Sequence, residues 1–341
     1  MQSPPCRMDD SQALSKLVGN SACFREVLND LPAIARSNAT TLVLGETGTG
    51  KELVARALHY LSDNYSFPFV AVNCGSLPES LLEDELFGHE RGSYTDAHSR
   101  RQGLVAQADR GTLFLDEIDT LSLKAQVDLL RVLQDSTYRP IGSTSELRAN
   151  LRVVAASNAS LEHLVKEGSF RKDLYYRLCI FTIHLPPLRE RKEDILPLAL
   201  HFLGKHTPPA RAPLVLSDAV QEHLHSYDWP GNVRELESAI LRGINFAAYS
   251  RIEIEHLRIK SDGGQHTQPV LVGPGKLGPF RKMKQALVER FERDYLIRLM
   301  KEHRGNITQA ALSSGKERRD LGRLLKRHQL NPKQFLGEAA A

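Results

Sequence analysis

The fold of this chain is decided by the stretch Gly45-Glu46-Thr47-Gly48-Thr49-Gly50-Lys51-Glu52. It follows the apolar run Thr40 to Leu44 and precedes the helix-forming run Leu53 to Leu58, which is the strand, loop and helix order that a phosphate-binding loop requires. The glycines allow consecutive backbone N–H groups to turn towards phosphate oxygens, and Lys51 can reach the terminal phosphates. The stretch therefore predicts a nucleoside triphosphate site.

A second motif supplies carboxylates to the same site. Gly111-Thr112-Leu113-Phe114-Leu115-Asp116-Glu117 is an apolar strand that ends in two adjacent acids. We assign Asp116 to Mg²⁺, and Glu117 to orienting or deprotonating a water molecule. Glu52 stands where a Ser or Thr hydroxyl normally contacts Mg²⁺, so the metal would depend on Asp116, on water and on the phosphates. The two motifs together predict hydrolysis of the bound nucleotide.

Short β-type runs recur through the first half of the chain, and helical patterns separate most of them. The runs are Thr40 to Leu44, Phe69 to Val72, Thr112 to Leu115, Arg152 to Ala155 and Phe181 to Leu185. This alternation predicts an α/β fold with a parallel five-stranded sheet and helices on both faces. Polar residues follow four of the runs, at Gly45, Asn73, Asp116 and Ser157-Asn158. Since ligands gather at the carboxyl ends of parallel strands, we expect one shared site there.

The pattern is wholly helical after Pro186-Pro187 through about Leu257, which predicts a small helical subdomain beside the sheet. Its candidate helices are Ile195 to Leu203, Asp218 to His225 and Val233 to Ala248. The stretch Ser261 to Gly278 is rich in Gly, Pro, Ser and Gln and is typical of a flexible linker. Beyond it, apolar residues recur every four positions at Met283, Leu287, Phe291, Tyr295 and Leu299. That stripe indicates a helix face in a core or a dimer contact.

The last two predicted helices suit a helix-turn-helix. Asn306 and Gln309 form a capping pair that opens a short helix, Gly315 permits a turn, and a basic helix follows from about Glu317 to His328. Its apolar positions are Leu321, Leu324 and Leu325, and its outward cations are Arg318, Arg319, Arg323, Lys326 and Arg327. This geometry suits insertion of the second helix into a DNA major groove, and the alternative is an ordinary helical hairpin.

Composition and charge agree with a nucleic-acid partner. Residues 281–330 carry 14 Lys plus Arg against 6 Asp plus Glu, although the whole chain has a net charge of only +4. The alternative is a solvated basic helix surface.

The sequence has no apolar run of membrane length and its first ten residues are polar, so we expect a cytoplasmic protein. The four cysteines lie far apart and suggest neither a zinc site nor a disulfide framework.

Several further motifs resemble the AAA+ enhancer-binding proteins, which are bacterial transcription activators that work with sigma-54. The resemblance covers Leu14 to Leu330 and includes the Glu52 form of the phosphate loop. It also rests on Asn73-Cys74, Glu85-Leu86-Phe87-Gly88-His89-Glu90, Phe170-Arg171-Lys172-Asp173-Leu174-Tyr175-Tyr176-Arg177-Leu178, Leu185-Pro186-Pro187-Leu188-Arg189-Glu190-Arg191 and Trp229-Pro230-Gly231-Asn232-Val233-Arg234-Glu235-Leu236. It implies an ATPase that forms a ring, expected to be a hexamer and open to mixed subunits, bound to upstream DNA and to the sigma-54 RNA polymerase holoenzyme.

The resemblance also implies a domain plan and a C-terminal Fis-type helix-turn-helix. The expected divisions are a tail at residues 1–13, the AAA+ α/β subdomain at 14–186, the helical lid at 187–260, a linker at 261–280 and the DNA-binding domain at 281–341. No separate N-terminal sensory domain is expected, because only about thirteen residues precede Leu14. Control would then come from a partner protein, from expression or from a bound ligand.

Residue roles follow from the same resemblance. Arg171 and Arg177 would act on the ATP of a neighbouring subunit, and Arg234 would sense the nucleotide from the lid. Asn73 would couple to Glu117, and Ser157 with Asn158 would form the first sensor. The expected nucleotide contacts are Val18, Gly19, Gly45, Glu46, Thr47, Gly48, Thr49, Gly50, Lys51, Glu52, Asp116, Asn158 and Arg234.

The chain departs from the family pattern in two places. The loop that contacts sigma-54 normally reads Gly-Ala-Phe-Thr-Gly-Ala, and the aligned residues here are Gly92, Ser93, Tyr94, Thr95, Asp96 and Ala97. Asp96 replaces a glycine and adds a charge near the tip of the loop. In the helix-turn-helix, Ser314 and Lys316 replace apolar residues and Asp320 places an acid on the second helix, which predicts weaker packing and weaker DNA binding.

Three functions remain open from the sequence. The first is an ATP-driven activator that remodels the sigma-54 holoenzyme. The second is a DNA-binding AAA+ regulator whose altered loop does not engage sigma-54, so that it represses, acts with another sigma factor or joins a mixed ring. The third is a remodelling ATPase for another protein client.

Overall fold

The computed structural model describes residues 13–93, 99–209, 212–247, 250–259, 292, 295–297, 299–300, 303, 305–328 and 331. The chain divides into two compact units, Met1–Ser261 and Asp262–Ala341. Among the described residues, no helix combines the length and the apolar character that crossing a bilayer requires.

The first unit is built on a parallel five-stranded sheet. The strands of the unit in chain order are β1 (Thr41–Leu44), β2 (Phe69–Asn73), β3 (Gly88–His89), β4 (Arg101–Gln102), β5 (Thr112–Asp116), β6 (Thr137–Tyr138), β7 (Leu147–Arg148), β8 (Arg152–Ser157), β9 (Phe181–His184), β10 (Val215–Leu216) and β11 (Arg251–Ile252). The order of strands in the five-stranded sheet is β2-β5-β8-β1-β9. The five predicted strands are therefore confirmed, with boundaries that differ by at most two residues.

Helices cover both faces of the sheet, as predicted. The helices of the first unit are α1 (Ala22–Arg36), α2 (Lys51–Leu61), α3 (Glu79–Phe87), α4 (Leu104–Gln107), α5 (Leu123–Asp135), α6 (Leu161–Glu167), α7 (Lys172–Leu178), α8 (Ile195–His206), α9 (Asp218–Ser226), α10 (Asn232–Phe246) and α11 (Ile254–Leu257). On β5, Leu113 and Leu115 face one apolar core and Phe114 faces the other, because successive side chains of a strand alternate. A strand buried on both faces is apolar throughout, which is why the sequence shows continuous runs.

The lid follows the sheet and has its own core. The predicted lid helices are confirmed as α8, α9 and α10. The expectation that this region is wholly helical is wrong, because β10 and β11 pair in parallel as a two-stranded sheet. Trp229 is completely buried in this core, and its Nε1 donates to the carbonyl of Leu224 at 2.9 Å. The indole is thus both packed and hydrogen-bonded, so it fixes the turn before α10.

The second unit contains α12 (Ile307–Ser313) and α13 (Arg318–Arg327). Asn306 caps α12, because its side chain accepts hydrogen bonds from the N–H groups of Thr308 and Gln309. Gly315 lies in the turn between the helices with φ of 63°. Its described core residues are Leu296, Leu299, Met300, Ala310, Ala311, Leu321 and Leu325. The predicted helix pair is therefore present.

The apolar stripe before α12 was predicted only in part. Met283, Leu287 and Phe291 lie outside the described residues. Leu299 is buried, but Tyr295 is 41% exposed and Leu296 and Met300 are buried instead. A helix turns once in 3.6 residues, so a strict spacing of four drifts off the buried face.

Candidate nucleotide site

The phosphate loop joins β1 to α2 in the conformation that anion binding requires. Gly48 and Gly50 have φ of 82° and 106°, in the region that favours glycine. The hydroxyl of Thr49 donates to the Glu46 carbonyl at 2.8 Å and closes the loop. Helix α2 begins at Lys51, so its free N–H groups and its dipole point into the loop.

Lys51 is buried within this loop. Its Nζ donates to the carbonyls of Gly45 at 2.8 Å and Glu46 at 3.2 Å. Burial lowers the pKa of the Lys51 ammonium, while the carboxylates of Asp116 and Glu117 act in the opposite direction. The loop thus holds a cation at the point where the sheet presents its acids.

Asp116 and Glu117 end β5 beside that cation. Burial raises the pKa of Asp116, and the nearby Lys51 opposes this shift. Glu117 has φ of 54° and ψ of 45°, a left-handed conformation that is uncommon for a non-glycine residue. Backbone strain of this kind is concentrated at functional sites.

Asn73 lies on the neighbouring strand, in register with Asp116. Its side-chain oxygen accepts a hydrogen bond from the Gly75 N–H at 2.8 Å. A Cβ added to Gly75 would lie 2.3 Å from Glu117 Oε2 and 3.5 Å from Asn73 Oδ1. The side chains of Asn73 and Glu117 therefore both lie close to the turn at Gly75. Their functional coupling stays a prediction.

Ser157, the last residue of β8, and Asn158, which follows it, contact an acid after β5 and the phosphate loop. Ser157 donates its hydroxyl hydrogen to Asp119 Oδ1 at 2.6 Å, and Asn158 Nδ2 donates to Thr47 Oγ1 at 3.2 Å. Sequence reasoning did not assign Asp119, although its position two residues after Glu117 was a usable signal. The polar ends of β1, β2, β5 and β8 thus converge, as expected.

A cavity of about 700 Å³ lies beside the loop and reaches the lid. Val18, Thr49, Gly50 and Val233 are among the residues that line it. A Cβ on Gly19 would lie 2.5 Å from Phe24 Cδ1 and 2.8 Å from Asp194 Oδ2, so a larger residue there would require these buried side chains to move. The cavity volume falls within the range of small-molecule sites, and its position next to Lys51 fits a nucleotide.

The lid touches the loop through residues that sequence reasoning left without a role. Arg189 donates to both carboxylate oxygens of Glu46, at 2.9 and 2.7 Å, and Asn232 Nδ2 donates to Glu46 at 3.1 Å. These hydrogen bonds, that of Arg189 foremost, hold the pKa of Glu46 below its ordinary value. Arg234 lies at the same junction, with its Cβ 3.1 Å from where a Cβ on Gly48 would be.

Glu52 is directed along α2. Its carboxylate accepts from Arg56 Nε and Nη2 at 2.9 and 2.7 Å on the exposed face of the helix. The side chain is thus engaged with an arginine one turn away. The assignment of Asp116 as the metal ligand stays a prediction.

The two arginines expected to act between subunits are exposed on or beside α7. Arg171 pairs with Asp173 at 2.7 Å, and Arg177 donates to the Leu133 carbonyl at 2.9 and 3.1 Å. Neither is among the described residues that line the 700 Å³ cavity. Their expected action on a neighbouring subunit stays a prediction.

The expected sigma-54 contact loop lies between β3 and β4. Gly92 has φ of 82° and Ser93 is described, whereas Tyr94, Thr95, Asp96 and Ala97 lie outside the described residues. The Glu90 N–H donates to the Ile141 carbonyl at 3.0 Å, and the Ile141 N–H donates to the Gly88 carbonyl at 2.8 Å. The start of the loop is thus joined to the segment between β6 and β7.

The candidate DNA contacts are exposed on α13. They are Arg318, Arg319, Arg323 and Lys326. Arg323 lies 3.5 Å from Asp320, which partly neutralises it. The opposite face of α13 is buried through Leu321 and Leu325, so the cations lie together on the outer face.

Three protein-family models match consecutive parts of the chain. The sigma-54 interaction domain matches residues 17–184, the AAA+ ATPase lid domain matches residues 189–271, and the bacterial regulatory protein model of the Fis family matches residues 287–328. In order along the chain, these matches correspond to the five-stranded sheet with its helices, to the lid and to the helix-turn-helix.

Individual proteins agree with the models. The chain is 41% identical to the regulatory protein AtoC of Escherichia coli over 320 residues, which are 93% of this chain and 68% of AtoC. It is 50% identical over 226 residues to a Nif-specific regulatory protein of Azotobacter vinelandii, which are 66% of this chain and 43% of that protein. The crystal structure of NtrX from Brucella abortus in complex with ATP aligns with a TM-score of 0.68 at 29% identity, covering 95% of this chain and 70% of NtrX.

Proposed function

This chain belongs to the sigma-54-interacting AAA+ ATPases of bacterial transcription regulation, and we propose that it uses ATP hydrolysis to remodel the sigma-54 RNA polymerase holoenzyme from upstream DNA. The observation that carries the proposal is the union, in one chain, of the site formed by Lys51, Asp116 and Glu117 with the basic helix α13. An ATPase site provides the free energy for remodelling, and a helix-turn-helix binds the protein to a DNA site.

The residues of the site divide the chemistry. The loop N–H groups and Lys51 bind the phosphates, and Asp116 is the carboxylate that would hold Mg²⁺. The metal, when bound, neutralises phosphate charge. Glu117 orients or deprotonates the attacking water, and Asn73 sets the position of that carboxylate from the adjacent turn.

We infer that the working form is a ring, with a hexamer as the expected size. Arg171 and Arg177 are solvent-exposed, so they are available to a second subunit. An arginine supplied by a neighbour stabilises the charge of the transferring phosphoryl group. Hydrolysis would then require assembly, in the cytoplasm where DNA and polymerase are found.

A second function is favoured by one residue. Asp96 replaces a glycine in the loop that contacts sigma-54 in this family, and a carboxylate there must be desolvated or paired on binding. On this alternative the chain binds ATP and DNA but regulates without engaging sigma-54.

Transcription with purified components separates the two functions. We expect the wild type to form open complexes with sigma-54 holoenzyme at a promoter that carries its DNA site, and Glu117→Gln to form none. DNA binding and ATP hydrolysis without open complexes would reject the activator and favour the alternative.

A further inference from the structure

We propose that Asn232 is a positioning residue through which the lid holds the phosphate loop in its binding conformation. We call the group formed by Glu46, Arg189, Arg191, Asn232 and the Val233 N–H the lid latch. The inference rests on the assignment of the loop as the nucleotide site, but it does not depend on sigma-54.

The lid residues of the lid latch bind three consecutive backbone carbonyls of the loop. Each accepts a hydrogen bond from a different donor of the lid: Thr47 O from Asn232 Nδ2 at 3.1 Å, Gly48 O from the Val233 N–H at 3.0 Å, and Thr49 O from Arg191 Nη2 at 3.0 Å. In a planar trans peptide, a carbonyl and the N–H that follows it point in opposite directions. Fixing these carbonyls towards the lid therefore fixes the next three N–H groups away from it.

The direction of one of these N–H groups is visible. The Thr49 N–H donates to the Glu46 carbonyl at 3.3 Å, and the same carbonyl accepts from Lys51 Nζ at 3.2 Å. The N–H is thus directed to the side of the loop where Lys51 lies. Oriented N–H groups of this kind form the concave anion site of a phosphate loop.

The burial, backbone conformation and hydrogen bonds of Asn232 suit it to orienting the loop carbonyls. It is completely buried, and its φ of 52° is tolerated better by Asn than by most residues. Its Oδ1 accepts from the Leu188 N–H at 2.8 Å, while Nδ2 donates both to Thr47 O and to Glu46 Oε2. The full hydrogen-bonding capacity of Nδ2 is used, so a carboxylate of the same shape cannot replace the amide.

Glu46, a residue of the loop, and Arg189, a residue of the lid, together support the amide of Asn232. The paired guanidinium of Arg189 fixes the Glu46 carboxylate, which in turn fixes the amide of Asn232. Loosening this chain of contacts lets the loop adopt other conformations. The apparent dissociation constant then rises in inverse proportion to the fraction of molecules in the binding conformation.

The test is nucleotide binding and steady-state hydrolysis by the full chain. Asn232→Asp replaces the donor Nδ2 by a carboxylate oxygen that faces two other acceptors, Thr47 O and Glu46 Oε2. We therefore expect the apparent Kd for a fluorescent ATP analogue to rise about tenfold or more. We expect kcat at saturating ATP to stay within about twofold, because the loop is restored once the nucleotide is bound. A purely structural defect lowers kcat or the folded fraction and does not produce this separation.

Two further variants make the test decisive. Combining Glu46→Gln with Asn232→Asp restores a donor opposite the new carboxylate, so the double variant should regain part of the lost affinity. Arg189→Gln alters only an exposed support and should raise the Kd by about threefold even if Asn232→Asp does not fold. Arg251→Gln, which removes an exposed lid ion pair with Glu253 at 3.2 Å, is the matched control and should change nothing.

Unchanged ATP affinity in either Asn232→Asp or Arg189→Gln would overturn the proposal. So would a loss of kcat at unchanged affinity, or a double variant no better than Asn232→Asp alone. These measurements do not involve sigma-54 transcription. A negative result would therefore reject the role of Asn232 and would not bear on the proposed function, which the transcription experiment tests.

Discussion

The ATPase unit and the C-terminal unit present their functional residues in opposite ways. Lys51 is buried and hydrogen-bonded to the loop, and Glu117 is held in a strained backbone conformation. Arg318, Arg319 and Lys326 are exposed cations on one helix. The first arrangement depends on the geometry of single atoms, whereas the second depends on the sum of several charges. Substitutions should therefore act in an all-or-none manner in the ATPase unit and in a graded manner in the C-terminal unit.

The largest effect is expected at the phosphate loop. Lys51→Ala should abolish nucleotide binding, because it removes the cation at the centre of the loop. Glu117→Gln should keep nucleotide binding and lower turnover by about 1,000-fold or more, since it removes only the group that acts on water. Nucleotide binding and ATPase assays on both variants check this. Wild-type hydrolysis by Glu117→Gln would contradict the role given to the carboxylate.

The next effect tests whether the ATPase geometry spans two subunits. Arg171→Ala should lower hydrolysis by about 1,000-fold if the guanidinium acts on a neighbour's ATP. Mixing Arg171→Ala with Lys51→Ala subunits should restore part of the activity, because intact sites form at one kind of interface. Each variant alone is the control. Full hydrolysis by a strictly monomeric preparation would show that no second subunit is needed.

Graded behaviour is expected on α13. Each alanine substitution at Arg318, Arg319, Arg323 or Lys326 should reduce the salt dependence of DNA binding by about one unit of slope. Lys166→Ala in the ATPase unit is the matched control for loss of one exposed cation. Binding isotherms at several salt concentrations measure the slope. If the chain binds DNA equally well after deletion of residues 305–341, the C-terminal unit is not the DNA-binding element.

The smallest effect is expected from Asp96→Gly. Removing a carboxylate that must be desolvated at the contact should increase open-complex formation severalfold and leave the ATPase rate nearly unchanged. Open-complex yield and ATP turnover are measured on the same preparations. A fully active wild type with no gain in the variant would make Asp96 a tolerated change. DNA binding without open complexes in both proteins would instead favour the regulator that does not engage sigma-54.

Much of the site could be predicted because its signals are local. The glycines of the loop, Lys51 and the acids after β5 each follow a strand directly, and parallel strands bring their carboxyl ends together. Asp119 and Arg191 were left without a role, although both stand in or beside recognisable motifs, because nothing in those motifs says which groups their side chains contact. Their roles come from contacts with Ser157 and with the Thr49 carbonyl, which are distant in sequence.

The sequence by itself determined the order of the elements, the phosphate loop and the basic helix, because strand burial, glycine placement and charge are properties of short segments. Only the tertiary structure decided that Glu46 meets Arg189 and Asn232, since those residues lie 143 and 186 positions away. The fold brings them together, with the lid held on the loop by hydrogen bonds to the carbonyls of Thr47, Gly48 and Thr49. A local pattern cannot encode such a distance, and so the grip of the lid on the phosphate loop became visible only in the folded chain.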